Sequence, residues 1–294
     1  MPIIDAGAPT PVASLVVDSA ASLPADVSLR HPTLRIVPMR LTIGGVTYDD
    51  GKDITTQKFY ELLQRHPGTA TTSAPSPAAF LEAFEDLGRQ SRSILCIVVA
   101  ERFSSAIDSA RSAGVKFSEE NPDHEVCVMD SLSAAGGQGL IALEALKLIE
   151  AGKPLTTVVE ALERVADRVR LLAFVDTLYY LWKGGRVPMI AHAGARLLHI
   201  KPTFELHQAQ IATVAKPRST RKALDRLVRL MKERVEGRAV RACIMHAAAE
   251  ESAHLLHERI KREFDCRDSY VTEFTPVMGA HLGPGMVGVG FLPE

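Results

Sequence analysis

Short apolar runs recur through the first half of the chain, each passing into Asp or Ser and then into residues with helical spacing. Ser14-Leu15-Val16-Val17 runs into Asp18-Ser19, Ile94-Leu95-Cys96-Ile97-Val98-Val99 precedes Phe103-Ser104-Ser105, and Glu125-Val126-Cys127-Val128-Met129 runs into Asp130-Ser131. Unbroken, partly β-branched runs of this length predict buried strands. Between them, Phe80, Phe84 and Leu87 mark one face of a helix that Ser76 caps and Pro77 opens, at a position where the missing N–H costs nothing. Ile107 and Ala110 fit a helix after Ser104. Gly139 to Ala151 fits a helix closed by Gly152, with Pro154 beyond, and Val158, Leu162, Val165 and Val169 form the inward side of another. Gly44-Gly45, between two alternating runs in Arg35 to Tyr48, signals a hairpin. Asp53-Ile54-Thr55 starts a helix with Phe59, Leu62 and Leu63 inward, stopped at His66-Pro67. Strands alternating with helices predict a parallel sheet covered by helices, and the first dozen residues, rich in Pro, Ala and Gly, predict a loose lead-in.

From Arg170 the pattern changes. Leu171 to Val175 is a strand, followed by a short helix from Asp176 that Gly184-Gly185 cuts before Arg186. A polar turn, Glu205 to Gln210, separates two strand-like runs as a hairpin, and Thr220 to Val235 is an amphipathic helix through Ala223, Leu224, Leu227 and Met231. Ala239 to Met245 predicts a strand, Glu250 to Phe264 a helix and Tyr270 to Phe274 a strand, and His281-Leu282-Gly283-Pro284-Gly285 leads into a last strand from Met286 to Phe291. Hairpins mixed with helices point to an α+β unit with a largely antiparallel sheet. The predicted organisation is therefore α/β in two domains, an N-terminal α/β domain over 14–170 and a C-terminal α+β domain over 171–294.

Composition narrows the function. The 294 residues are 46% hydrophobic and carry a net charge of -1, enough apolar material for a large core and no basic footprint for nucleic acid. Cys96, Cys127, Cys243 and Cys266 form no CxxC pair, and three sit inside apolar runs, as buried free thiols in a reducing compartment do. Met1-Pro2-Ile3-Ile4-Asp5 lacks the basic and apolar regions of a signal peptide, and no apolar run approaches the ~20 residues a membrane span needs. These features predict a cytoplasmic globular protein without stable membrane insertion.

In open α/β sheets, ligands settle outside the carboxyl ends of the strands. Loops there carry hydroxyls: Thr72-Ser73-Ala74-Pro75-Ser76-Pro77 and Ser104-Ser105, with Asp18-Ser19 and Asp130-Ser131 beside them. Hydroxyls and free backbone N–H groups at helix starts suit an anion, although ordinary capping accounts for such residues one at a time. Gly136-Gly137-Gln138-Gly139 has neither the lysine of a P-loop nor the spacing of a dinucleotide fingerprint. His254, His257 and Glu258 share a helix face without a third imidazole or cysteine to complete a zinc site, and His246 and His192 read as core or surface histidines. Lys201-Pro202 fits either a domain interface or a strand edge.

The ordered set Val17-Asp18-Ser19, Thr72-Ser73-Ala74-Pro75-Ser76-Pro77, Phe103-Ser104, Asp130-Ser131, Asp176-Thr177-Leu178 with Lys183-Gly184-Gly185-Arg186, Ile200-Lys201-Pro202, Lys216-Pro217-Arg218 and His281-Leu282-Gly283-Pro284-Gly285 resembles the DegV family over residues 14 to 292. That resemblance implies two domains with a long-chain fatty acid held in the cleft between them and no other cofactor. It implies delivery of the acyl chain to a separate kinase, which phosphorylates the carboxylate for phospholipid synthesis, so the chain itself is not expected to be the enzyme. Thr72 and Ser104 match the hydroxyls that bind the carboxylate, His281 and Arg186 match polar residues nearby, and Arg218 matches a surface arginine linked to kinase docking. The chain departs from the family pattern at Ala20, Ser22 and Ala74 and at Ser105-Ala106-Ile107, where Gly-Thr-Tyr is common. The alternative is a serine-dependent acyl hydrolase with Ser104 as nucleophile and His281 as base, although no GxSxG elbow surrounds Ser104.

Overall fold

The computed structural model describes residues 13–24, 26–186 and 200–294. The expectations for the first dozen residues and for His192 lie outside them. In chain order the first elements are β1 (Ser14–Asp18), a 3-10 turn (Ser19–Ala21), α1 (Val27–Arg30), β2 (Leu34–Val37), β3 (Arg40–Ile43), β4 (Val46–Asp49), α2 (Thr56–Arg65) and β5 (Thr71–Ser73). Then come α3 (Pro77–Gly88), β6 (Ser93–Val98), α4 (Ala106–Glu120), β7 (Glu125–Asp130), α5 (Ala135–Glu150) and α6 (Leu155–Arg168). The remainder is β8 (Arg170–Phe174), α7 (Tyr179–Gly184), β9 (Thr203–His207), β10 (Gln210–Ala215), α8 (Thr220–Val235), β11 (Val240–His246), α9 (Glu250–Glu263), β12 (Cys266–Glu273), α10 (Pro276–Leu282) and β13 (Val287–Pro293).

Four strands pair in parallel in the order β2-β1-β6-β7, with Val17 opposite both Ile36 and Ile97. Leu15, Val16, Val17, Ile94, Leu95 and Ile97 are fully buried, as strands covered on both faces must be. The Gly44-Gly45 hairpin forms, and β3 also pairs antiparallel with β5 to give a small sheet in the order β4-β3-β5. The second large sheet runs β10-β9-β8-β13-β11-β12, antiparallel throughout except for the parallel pair β11 and β12. The α/β class, with a parallel sheet and a largely antiparallel one, is as predicted.

The two sheets are held together by α5. Its glycines allow a close approach: a Cβ on Gly290 of β13 would lie 2.9 Å from backbone atoms of Gly136 and Gly137. The Gly136 N–H donates to Met245 Sδ at 3.0 Å, and Gln138, fully buried, donates to Asp18 Oδ1 at 3.2 Å. The Gly136-Gly137-Gln138-Gly139 run is therefore a packing device.

Four expectations need correction, and one element is added. Thr72 lies on β5 rather than in a loop, with Leu41 opposite it. α5 begins at Ala135, four residues before Gly139, because the glycines that weaken a helix in isolation are here pressed between sheets. Glu205 is not in a turn. It is a buried strand residue that accepts from Arg170 and Arg234, whose hydrogen bonds and charges overcome the upward pull of burial and hold its carboxyl below the usual range. β12 starts at Cys266, its polar residues lying at the sheet edge. The stretch through His281 is helical, as α10.

Candidate functional site

Alternation along β8 divides its side chains between two cores. Leu172 and Phe174 pack beneath α8 with Leu227 and Met231, while Leu171, Ala173 and Val175 face a cavity. Phe204 and Leu206 on β9 join them on the same face. The opposite wall comes from the carboxyl ends of the parallel strands: Ala20 after β1, Val99 and Ser104 after β6, and Ala134 and Ala135 after β7. β5, α7 and α10 complete the enclosure, leaving about 1040 Å³ of empty space that is partly open to solvent. Of the 24 lining residues among those described, only Thr72, Ser73, Ser104, Arg186 and His281 carry polar side chains. Four of the five predicted site residues thus meet at one cavity, while Arg218 stands away from it, exposed in the loop between β10 and α8.

The polar group is organised by local structure. Ser104 lies just before α4, and its Oγ accepts from the Ala106 N–H at 3.2 Å. Thr72 Oγ1 lies 2.7 Å from His281 Nε2. The second ring nitrogen, Nδ1, is buried with no hydrogen-bond partner among the described residues. It faces Gly184, where a Cβ would come within 2.5 Å of it, so only glycine fits there. Burial, followed by the Arg186 charge, pulls the His281 imidazole down to about 4, and the ring is neutral near pH 7. The hydrogen-bond pattern assigns its proton to Nε2, since the other tautomer would bury an unpartnered N–H. Nε2–H then donates to Thr72 Oγ1, and the Thr72 hydroxyl proton is left to donate into the cavity. Arg186 follows Gly185, which ends α7 with a φ of 66°, and its Nη1 donates to the Gly184 carbonyl at 2.7 Å. The guanidinium therefore both caps α7 and lines the cavity. Chemically, the arrangement sets neutral donors and one cation in an otherwise apolar chamber, which suits the charged head of an otherwise greasy ligand.

Asp18-Ser19 and Asp130-Ser131 lie behind this surface. Asp18 accepts from the N–H groups of Ala20 at 3.0 Å and Val99 at 2.7 Å. Burial pushes its carboxyl up to about 6, against those hydrogen bonds and the one from Gln138. Asp130 accepts from the Leu132 N–H at 2.8 Å. Both carboxylates fix the loops that carry lining residues. One polar element of the surroundings escaped the sequence reading: Asp50 caps α10 through the Val277 N–H at 3.0 Å. Lys201, open between a domain interface and a strand edge, pairs with Asp176. The cap joins residues too distant in sequence to leave a local signal.

The DegV family model, described as "Uncharacterised protein, DegV family", matches residues 13–294. A DegV domain-containing protein of Streptomyces coelicolor is 32% identical over 94% of this chain and 96% of its own length. Protein DegV of Bacillus subtilis is 28% identical over 94% of this chain and 97% of its own. Among solved structures, a DegV family protein of Thermus thermophilus, described by its fatty acid binding, superposes with a TM-score of 0.88 at 27% identity, covering 96% of this chain and 99% of that one. DegV of B. subtilis, described as a fatty acid binding protein, gives 0.84 at 27% identity over 96% and 99%. The matched span contains both sheets, the cavity and every residue of its polar end: the chain belongs to the DegV family.

Proposed function

We propose that this protein binds a long-chain fatty acid non-covalently in the cavity, tail along the apolar walls and carboxylate at Thr72, Ser104, His281 and Arg186. The observation that carries the proposal is the make-up of the lining: among the described residues 19 of the 24 are apolar, and of the polar ones Thr72 is bonded to His281, whose ring feels the Arg186 charge. Burial of ~15 methylenes at ~0.8 kcal/mol each contributes ~12 kcal/mol before the costs of association, so the tail supplies affinity and the head sets orientation. Relatives described as fatty-acid binders support the choice of ligand. The bound acid is then presented to a separate kinase that phosphorylates its carboxylate, with Arg218 at the docking face and residues 14–170 and 171–294 acting as the two domains that enclose it. A carrier of this kind is not the catalyst. The neutral His281, engaged with Thr72 at 2.7 Å, fits a hydrogen-bonding role better than that of a base for Ser104.

Native mass spectrometry of protein purified from cells, with extraction and lipid identification, tests the proposal. An acyl ligand released on denaturation is expected. An ester on Ser104 would transfer the reading to the hydrolase, and preference for a small polar acid over palmitic acid would overturn it.

A further inference from the structure

His281 sits in the second turn of α10, and what holds this seven-residue helix in place is remote in sequence. Thr275 occupies the N-cap position without a side-chain capping bond, and Pro276 follows with no N–H to give. The first turn is capped instead by Asp50, whose Oδ1 accepts from the Val277 N–H at 3.0 Å across 227 residues of chain. Asp50 is itself fixed on two sides. Its Oδ2 accepts from Ser19 Oγ at 2.6 Å, the same Oγ accepts from the Met39 N–H at 3.1 Å, and the Asp50 N–H donates to the Met39 carbonyl at 2.8 Å. A carboxylate only 3% exposed is expensive unless hydrogen-bonded, and a helix N-terminus is where its charge is best placed. The helix is also seated laterally, since a Cβ on Gly279 would lie 2.8 Å from both Phe59 and Tyr60 of α2. Val277 and His281 are four residues apart and stack on one face, so a shift of the first turn is carried to the imidazole.

We propose that Asp50 is a positioning residue: by capping α10 from the strand side it holds His281 Nε2 within hydrogen-bonding distance of Thr72 Oγ1 and so sets the polar end of the cavity. The ligand measurement below rests on the fatty-acid reading; the spectroscopic one does not. In the full-length chain, Asp50→Ala is expected to raise the His281 titration, followed by NMR, from about 4 toward the ordinary ~6.5. The same variant should weaken palmitic acid about tenfold while hexadecanol changes less than about threefold. Asp50→Asn keeps an oxygen for the Val277 N–H and should restore most of the wild-type behaviour. Ser19→Ala removes the hydroxyl that steadies Asp50 and should reproduce both shifts in smaller measure, which covers an Asp50→Ala that fails to fold. A wild-type His281 titration in folded Asp50→Ala, or in Ser19→Ala if only that folds, overturns the proposal. A shifted titration in a protein whose wild type binds neither lipid sustains the positioning role and overturns the fatty-acid reading instead.

Discussion

Thr72→Val tests the head-group site with the smallest change in shape. Valine keeps the volume and the branched Cβ that suit β5, where Thr72 lies opposite Leu41, so the strand should be kept. What is lost is one hydroxyl with two partners: an acceptor for His281 Nε2 at 2.7 Å and the proposed donor to the carboxylate. Leaving a buried charged acceptor short of one donor costs ~1–3 kcal/mol, which is about 5- to 140-fold in Kd. A fatty alcohol of equal length loses only a neutral hydrogen bond, ~0.5–1.5 kcal/mol or roughly 2- to 12-fold, so the preference for acid over alcohol should shrink. Titration with a fluorescent fatty acid, followed by competition with palmitic acid and hexadecanol near neutral pH, reads both quantities. A melting curve beside it should fall by no more than about 4 °C, the scale of ~1 kcal/mol in a chain of this class. If Thr72→Val combined with Ser104→Ala binds palmitic acid as wild type does, these hydroxyls do not hold the carboxylate.

Three further outcomes are expected. Gly290→Ala would drive a methyl against the α5 backbone 2.9 Å away and should destabilise by ~1–3 kcal/mol, seen as a lower denaturant midpoint; an unchanged midpoint would mean that the two sheets are not in this close register. The Asp18 carboxyl is held at about 6 when folded against 3.8 unfolded, so the native state binds the extra proton between those values. The stability of wild type relative to Asp18→Asn should therefore decline as pH rises from about 4 to about 6, and a constant difference across that window would refute the raised value. Arg218→Ala should leave lipid affinity and melting temperature unchanged yet lower acyl-phosphate formation by the proposed kinase, with the difference from wild type narrowing as salt rises. Equal turnover curves would place docking elsewhere.

Much of the fold was legible because its signals are local. The strands at Ser14, Ile94 and Glu125, the Ser76-Pro77 helix start and the whole of α8 follow from runs, caps and spacing within one element. The misses share a cause of the opposite kind. β5 is three residues long, too short to show alternation, and exists because β3 offers an edge. α10 holds Gly279 and only seven residues, and its cap comes from Asp50. Glu205 looked like solvent-facing turn chemistry because Arg170 and Arg234, which make its burial tolerable, lie on other elements. The same distinction runs through the candidate site. Thr72, Ser104, Arg186 and His281 could be proposed from ordered motifs, whereas the His281–Thr72 contact spans 209 residues and only the folded chain reveals it.

The placement of β13 bears on how the molecule comes into being. It is made after every other described strand of its sheet, yet it lies inside that sheet, between β8 and β11. Until residues 287–293 leave the ribosome, β10-β9-β8 and β11-β12 are separate fragments, each with an open inner edge and an apolar face awaiting cover. The cavity wall built on β8 is therefore flanked on both sides only once β13 has been made. A chain stalled before Val287 would present two adhesive edges and an unfinished cavity wall, which makes β13 a checkpoint on assembly.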